Sequence, residues 1–329
     1  MMTGQALVAA VDIGGTKIAG ALVGAEDGEL YHRVERPTRA QESGKVVRDA
    51  LAEVVEALAA TPQWAGVELV GVGSAGPVDT VRGTVSPVNI PGWRDFPVVR
   101  EVRELAAGRP VVLTGDGVAM TAAEHWRGAA RGFDNALCMV VSTGVGGGLV
   151  LGGALHPGPT GNAGHIGHIS VDLDGEPCAC GGRGCLEGLA SGTAIARHAL
   201  AAGWRPGGAA SGQATGAASG AASGRVDAAA VAVAARAGDP VALAAFARAG
   251  QALAAGIAAA ATLVELEVVV IGGGVAQAGE LLFGPLRERL GDYAALSYVR
   301  GLRLRPAELA TDAGLVGAAA AALRAVARA

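Results

Sequence analysis

Two stretches of the chain share one pattern. "LVAAVDIGGTKIAGALVG" is an apolar run, a Gly-Gly turn and a second apolar run, and about 130 residues later the pattern returns as "ALCMVVSTGVGGGLVLGGAL". Each reads as two strands joined by a tight glycine turn. "GELYHRVERPT" adds a third strand to the first unit, after the turn at Asp27-Gly28. Apolar residues at helical spacing from Gly44 to Ala60, ended by Thr61-Pro62, then precede the strand "VELVGVGSAG", so the unit runs βββαβ. A repeat this long predicts a duplicated α/β domain whose glycine turns face each other across a cleft; a solenoid would have a shorter period.

Between Gly203 and Gly224 a Gly/Ala/Ser/Pro tract lacks the bulky apolar side chains that offset the entropy of ordering, and it reads as a flexible surface insertion. Ala-rich helices follow from Val226, then "LEVVVIGGGVA", a buried strand ending in three glycines. "DAGLVGAAAAALRAVARA" closes the chain as a helix expected to pack back on the first domain. The expected division is a smaller N-terminal α/β domain over residues 1–117, completed by the helix 312–329, and a larger α/β domain over 118–311.

The 329 residues are 51% hydrophobic but only 3% aromatic, an alanine-rich composition of the soluble kind. Glu265 and Glu267 interrupt the apolar stretch from Ala252 to Val270, which disfavours a membrane span. The N-terminus carries no basic segment ahead of its first strand, so a cytoplasmic location is expected. A net charge of -4 with no basic run argues against nucleic acid and for small-molecule substrates.

Three glycine turns stand at strand ends: "DIGGTK" from Asp12, "STGVGGG" from Ser142 and "IGGGVA" from Ile271. Such turns expose N–H groups and let a polyanion approach without interference from Cβ atoms. None has P-loop spacing or opens a helix as a dinucleotide fingerprint does. One such turn is usually a plain hairpin; three, with Asp12 and Thr16 among them, point to nucleotide phosphate. In "VVLTGDGVAMTAAEHW", Val111–Leu113 read as a strand, Gly115-Asp116-Gly117 as a turn and Val118 onward as a helix. Asp116 is then either at the strand end where ligands bind in open α/β folds or a helix N-cap.

"GHIGHISVDLDGEPCACGGRGCLEG" holds Cys178, Cys180 and Cys185 as C-x-C-x4-C, with His168 ten residues upstream. In a chain this large, clustered cysteines read as a metal site rather than disulfides or chance thiols. One imidazole and three thiolates make a closed tetrahedral zinc set, which leaves no open position for water and implies a structural ion. Cys138, in "ALCMVV", reads as a buried core thiol.

Together "DIGGTK", "STGVGGG", "IGGGV" and "GHIGH...CACGGRGCLE" resemble the ROK family of sugar kinases and repressors over essentially the whole chain. The resemblance implies an actin-like, ribonuclease H-like fold of two α/β domains flanking a cleft, and an enzyme that phosphorylates a hexose or amino sugar with ATP and Mg2+. It implies that Asp116 is the catalytic base toward the carbon-6 hydroxyl. Asp12, Gly14, Gly15, Thr16 and Lys17, with Thr143, Gly144 and Gly146, match positions at the phosphates and magnesium, and Gly273 and Gly274 match the nucleotide-side turn. Gly115, His165, His168 and Glu187 match sugar contacts; His168 would also hold Zn2+, making the ion a brace for the sugar pocket.

Two positions depart from the family pattern. Gly115 replaces the usual Asn, and His165 replaces the Glu found in glucokinases, so glucose should lose contacts. The runs "AGHIGH" and "VSTGVGGG" resemble members acting on N-acetylmannosamine, which is the favoured substrate class. A 3-amino sugar such as kanosamine, and glucose itself, are the alternatives. The family's repressors carry a helix-turn-helix ahead of the first glycine motif, where this chain has only Met1 to Val11. A sugar-binding protein without activity agrees poorly with the retained Asp116. Dimers or tetramers are common in the family, so a homo-oligomer is expected.

Overall fold

The computed structural model describes residues 6–206 and 227–327. Of the segment 203–224 expected to be a flexible insertion, residues 207–224 lie outside the described residues.

The first sheet opens as the sequence predicts. Strands β1 (Leu7–Ile13), β2 (Lys17–Gly24) and β3 (Leu30–Pro37) form an antiparallel meander. Helix α1 (Gly44–Ala59) follows, its first turn capped by the Ser43 side chain, which accepts the Val46 N–H. Strand β4 (Val67–Ser74) then lies parallel to β1. A small hairpin, β5 (Val78–Asp79) and β6 (Thr84–Val85), and helix α2 (Val98–Leu105) lead to β7 (Val111–Gly115), parallel to β4. The sheet order is β3-β2-β1-β4-β7.

Helix α3 (Asp116–Arg127) leads to the second sheet, whose antiparallel start is β8 (Ala136–Val141), β9 (Val145–Leu151) and β10 (Ala154–His156). Four helices follow the Cys/His loop: α4 (Glu187–Ala190), α5 (Gly192–Ala201), α6 (Ala228–Arg236) and α7 (Pro240–Val264). Parallel strand β11 (Val268–Gly272), helix α8 (Glu280–Tyr293) and parallel strand β12 (Arg303–Pro306) complete it, and α9 (Ala313–Val326) ends the chain. The order β10-β9-β8-β11-β12 repeats the first sheet strand for strand.

Strands with nearly unbroken apolar runs need cover on both faces, and the contacts supply it. Ala9, Val11 and Ile13 of β1 pack with Val47, Leu51 and Val54 of α1, while Val8 and Ala10 pack with Leu315, Ala318 and Ala322 of α9. In β11, Val269 and Ile271 meet Leu253 and Ile257 of α7, and Val268 and Val270 meet Met120 and Ala123 of α3. Helix α9 therefore returns to the first sheet, where it also packs closely on α3. At Gly317 a Cβ would lie 1.9 Å from the Ala119 carbonyl oxygen, so only glycine permits that crossing. Helix α7 is long and apolar enough to cross a membrane, but 61% of its most apolar stretch is buried within the fold. Glu265 ends it in the left-handed region (φ 51°), and the Glu267 carboxylate accepts the Asp134 and Asn135 N–H groups.

One local expectation is corrected. Gly115-Asp116-Gly117 is not a turn: β7 runs to Gly115, which is extended (φ -72°, ψ 153°) and is itself the N-cap, and Asp116 is the first residue of α3. An extended residue directly followed by helix makes the reversal without a separate turn, so Asp116 is not the N-cap.

Candidate active site and Cys/His centre

Parallel register sets up the site. Ile13 of β1 pairs with Ser74 of β4, and Ser74 with Gly115 of β7. The strand ends are thus level, and Asp12 and Asp116 emerge at one edge of the sheet. Asp116 opens onto the cleft, its Oδ1 accepting the Gly117 N–H at 2.7 Å. Crowding by protein pushes its carboxyl pKa up, against the pull of that N–H and of the His165 charge. Asp12 is pushed up to about 6, first by burial and then by the Asp116 charge, with Lys17 and Arg33 opposing. The Asp116 carboxylate adds to the raised pKa of Asp12, and the hard oxygen donors of Asp12 suit Mg2+.

That geometry carries a stability prediction. The folded-state pKa of about 6 lies above the ordinary 3.8, so the folded chain binds the proton more tightly and loses stability as pH rises through this window. Asp12→Asn should therefore unfold later than wild type at pH 8 without added magnesium, by at most about 3 kcal/mol, with the gain gone near pH 4. Urea unfolding at both pH values checks this; a variant less stable at pH 8 contradicts it.

The first glycine turn is held by Thr38, which sequence reasoning missed. Its buried hydroxyl donates to the Gly14 carbonyl at 2.6 Å and its N–H to the Thr16 carbonyl at 3.0 Å. Lys17, beside Thr16, forms an exposed ion pair with Glu35 at 2.9 Å. In the second turn the Ser142 N–H donates to the Gly144 carbonyl at 2.8 Å. The third turn leans on the second. Gly273 has φ 91°, a Cβ there would lie 2.5 Å from the Val141 oxygen, and one on Gly274 would lie 3.6 Å from Ser142 Oγ. Gly146, past Thr143 and Gly144 in the second turn, lines the Asp116 cavity. The structure thus brings Gly146, beside the second turn, to the cavity of Asp116, and the third turn against the second.

The sugar-contact expectations divide. Gly115, Asp116 and His165 line one cavity with Gly76 and Asn162. His168 stands next to it, its ring centroid 5.3 Å from that of His165. Glu187 is elsewhere: its Oε2 accepts the Val145 N–H at 2.9 Å, and it borders a larger cavity of about 290 Å³ between the cysteine loop, α5 and α7. Asn162 was also missed. Its side chain accepts the Val78 N–H at 3.2 Å and donates to the Val78 carbonyl at 2.7 Å, and the Thr80 N–H donates to Thr160 at 3.1 Å. This strap narrows the Asp116 cavity to about 10 Å³, room for one water.

His168, Cys178, Cys180 and Cys185 bring their donor atoms within 4.8 Å of one another. Cys178 Sγ is 3.8 Å from His168 Nδ1, and Cys180 Sγ is 3.7 Å from Cys185 Sγ. Two thiolates bound tetrahedrally to one zinc ion stand about 3.8 Å apart, so both spacing and donor chemistry fit Zn2+. Burial pushes the Cys185 thiol up to about 12, and the Gly182 N–H draws Cys180 down.

Comparison with known proteins finds relatives along nearly the whole chain. The model of the ROK family matches residues 8–325. A glucokinase of Thermotoga maritima is 37% identical over 311 residues, covering 94% of this chain and 95% of that protein. An N-acetylmannosamine kinase of Shigella boydii is 40% identical over 190 residues, covering 58% of this chain and 63% of that protein. Among solved structures, a ROK hexokinase from Thermus thermophilus superposes with a TM-score of 0.79 at 38% identity, covering 98% of this chain and all of that one.

Proposed function

Because the chain belongs to the ROK family, we propose that its cleft phosphorylates the 6-hydroxyl of a hexose or amino sugar, with Asp116 as base. Its two sheets are those of the actin-like ATPase fold, and it is an ATP-dependent sugar phosphotransferase. The observation that carries the site assignment is the one sheet edge at which Asp12 and Asp116 emerge, with Gly146 of the second sheet lining the Asp116 cavity.

In this reading Asp116 takes the proton of the sugar hydroxyl as that oxygen attacks the γ-phosphorus in line, and the bond from phosphorus to the β-bridging oxygen breaks. The raised pKa of Asp116 strengthens it as a base. Gly14, Gly15, Thr16 and Lys17 and the second turn receive phosphate oxygens, and Gly273 and Gly274 face the nucleoside. Mg2+ near Asp12 supplies charge neutralisation. Zn2+, held by His168 and the three cysteines, shapes the loop carrying His165. We place the enzyme in the cytoplasm, as a homo-oligomer without nucleic-acid or membrane partners.

The substrate class we favour is N-acetylmannosamine-like. His165 lies beside Asp116, and Gly115 offers no side chain: a Cβ there would meet the Gly161 carbonyl at 3.4 Å. Full-length similarity to a glucokinase favours glucose as the second reading. An ATP-coupled assay over N-acetylmannosamine, glucose, N-acetylglucosamine, mannosamine, glucosamine and kanosamine separates them. The expected result is highest kcat/KM for N-acetylmannosamine; clear preference for glucose overturns it. His165→Glu should raise glucose kcat/KM relative to N-acetylmannosamine by about tenfold, one hydrogen bond's worth. A carboxylate there should also move the acidic limb of the pH profile upward, since it replaces a group that holds the Asp116 pKa down.

A further inference from the structure

The second glycine turn is built so that one peptide plane is held at both ends. The Gly144 carbonyl accepts the Ser142 N–H at 2.8 Å, and the N–H of the same peptide, on Val145, donates to Glu187 Oε2 at 2.9 Å. Gly144 is the residue that permits this approach: a Cβ on it would lie 2.6 Å from the same carboxylate oxygen. Two further bonds come from the segment just after Glu187. The Gly192 N–H donates to the Ser142 carbonyl at 2.7 Å, and Thr193 Oγ1 donates to the Thr143 carbonyl at 2.9 Å. Glycines at 144, 146 and 147 would otherwise leave the turn free to rotate its peptide planes. A phosphate site built from N–H groups needs those planes fixed before the anion arrives.

We propose that Glu187 is a positioning residue for the nucleotide phosphates: it pins the Gly144–Val145 peptide and so sets where the neighbouring N–H groups of the second turn point. This rests on the kinase reading above and adds to it a function for Glu187 on the phosphate side of the cleft, apart from any sugar contact. Glu187 begins α4 two residues after Cys185, so the turn is also tied to the Cys/His loop.

The test is ADP binding with Mg2+ and no sugar, by calorimetry, on wild type, Glu187→Ala and Glu187→Gln, each checked for unchanged metal content and thermal unfolding. Loss of this partly buried hydrogen bond predicts an ADP Kd about tenfold higher for Glu187→Ala. Glu187→Gln keeps an acceptor oxygen at the same reach and should recover most of the affinity. In turnover, the Ala variant should raise KM for ATP by a similar factor. Should Glu187→Ala not fold, Glu187→Asp, which keeps the charge but is one methylene short, replaces it with the same expected loss. Unchanged ADP affinity in the short variants overturns the positioning role while leaving the kinase reading intact. Tighter ADP binding in both Ala and Gln overturns it too, because the carboxylate would then act by repelling phosphate. Wild type that neither binds ADP nor turns over would instead remove the kinase reading beneath it.

Discussion

Asp116→Asn is expected to lower kcat by about 10³-fold, within the range that a positioned base contributes, while sugar and ADP affinities change little. The substitution keeps size and an acceptor oxygen for the Gly117 N–H, so α3 should start as before and thermal unfolding should be nearly unchanged. Asn cannot accept the hydroxyl proton, and only positioning by the turns remains. The wild-type pH profile belongs to the same argument. Crowding by protein raises the Asp116 pKa, so activity should fall, as pH decreases, at a higher pH than an ordinary aspartate would set. Near-normal turnover by Asp116→Asn would remove it as the base.

Loss of the Cys/His centre should be the largest stability effect. We expect one zinc ion per chain in freshly purified protein. Its removal by chelation, or Cys180→Ser, should destabilise the chain by about 3–5 kcal/mol, roughly 10 °C in Tm. Little apolar packing holds the loop: His168 and Cys180 are exposed, and of the four donor residues Cys185 alone is buried. Without an ion, four donors within 4.8 Å of one another would leave the Cys180 and Cys185 thiols facing each other at 3.7 Å. Sugar affinity should fall in parallel, because His165 and His168 flank the same short helical turn. Metal analysis that finds no zinc in untreated protein would sink this reading.

Much of the framework was legible because it is local. The β1–β3 meander and the β8–β9 hairpin follow from glycine turns between adjacent apolar runs, and α9 from an unbroken alanine-rich stretch, whereas β10 was not read from the sequence. The four donors of the Cys/His centre fall within eighteen residues, so their spacing alone announced them. Thr38 and Asn162 gave no such signal. Each is an ordinary polar residue whose partners, Gly14 and Val78, lie 24 and 84 positions away.

Glu187 shows the boundary most clearly. Its place after the last cysteine marked it as a site residue, but nothing in "CLEG" says that its carboxylate reaches Val145, 42 positions earlier. The linear order of this chain is enough to specify two similar α/β units, a set of glycine turns and a Cys/His cluster, since each depends on residues a few positions apart. Which carboxylates share an edge, that the Asp116 charge bears on Asp12, and which N–H the Glu187 carboxylate accepts were settled by parallel strand register and helix packing. Those bring together groups up to several hundred residues apart, and the electrostatics of a site depend on distances through space.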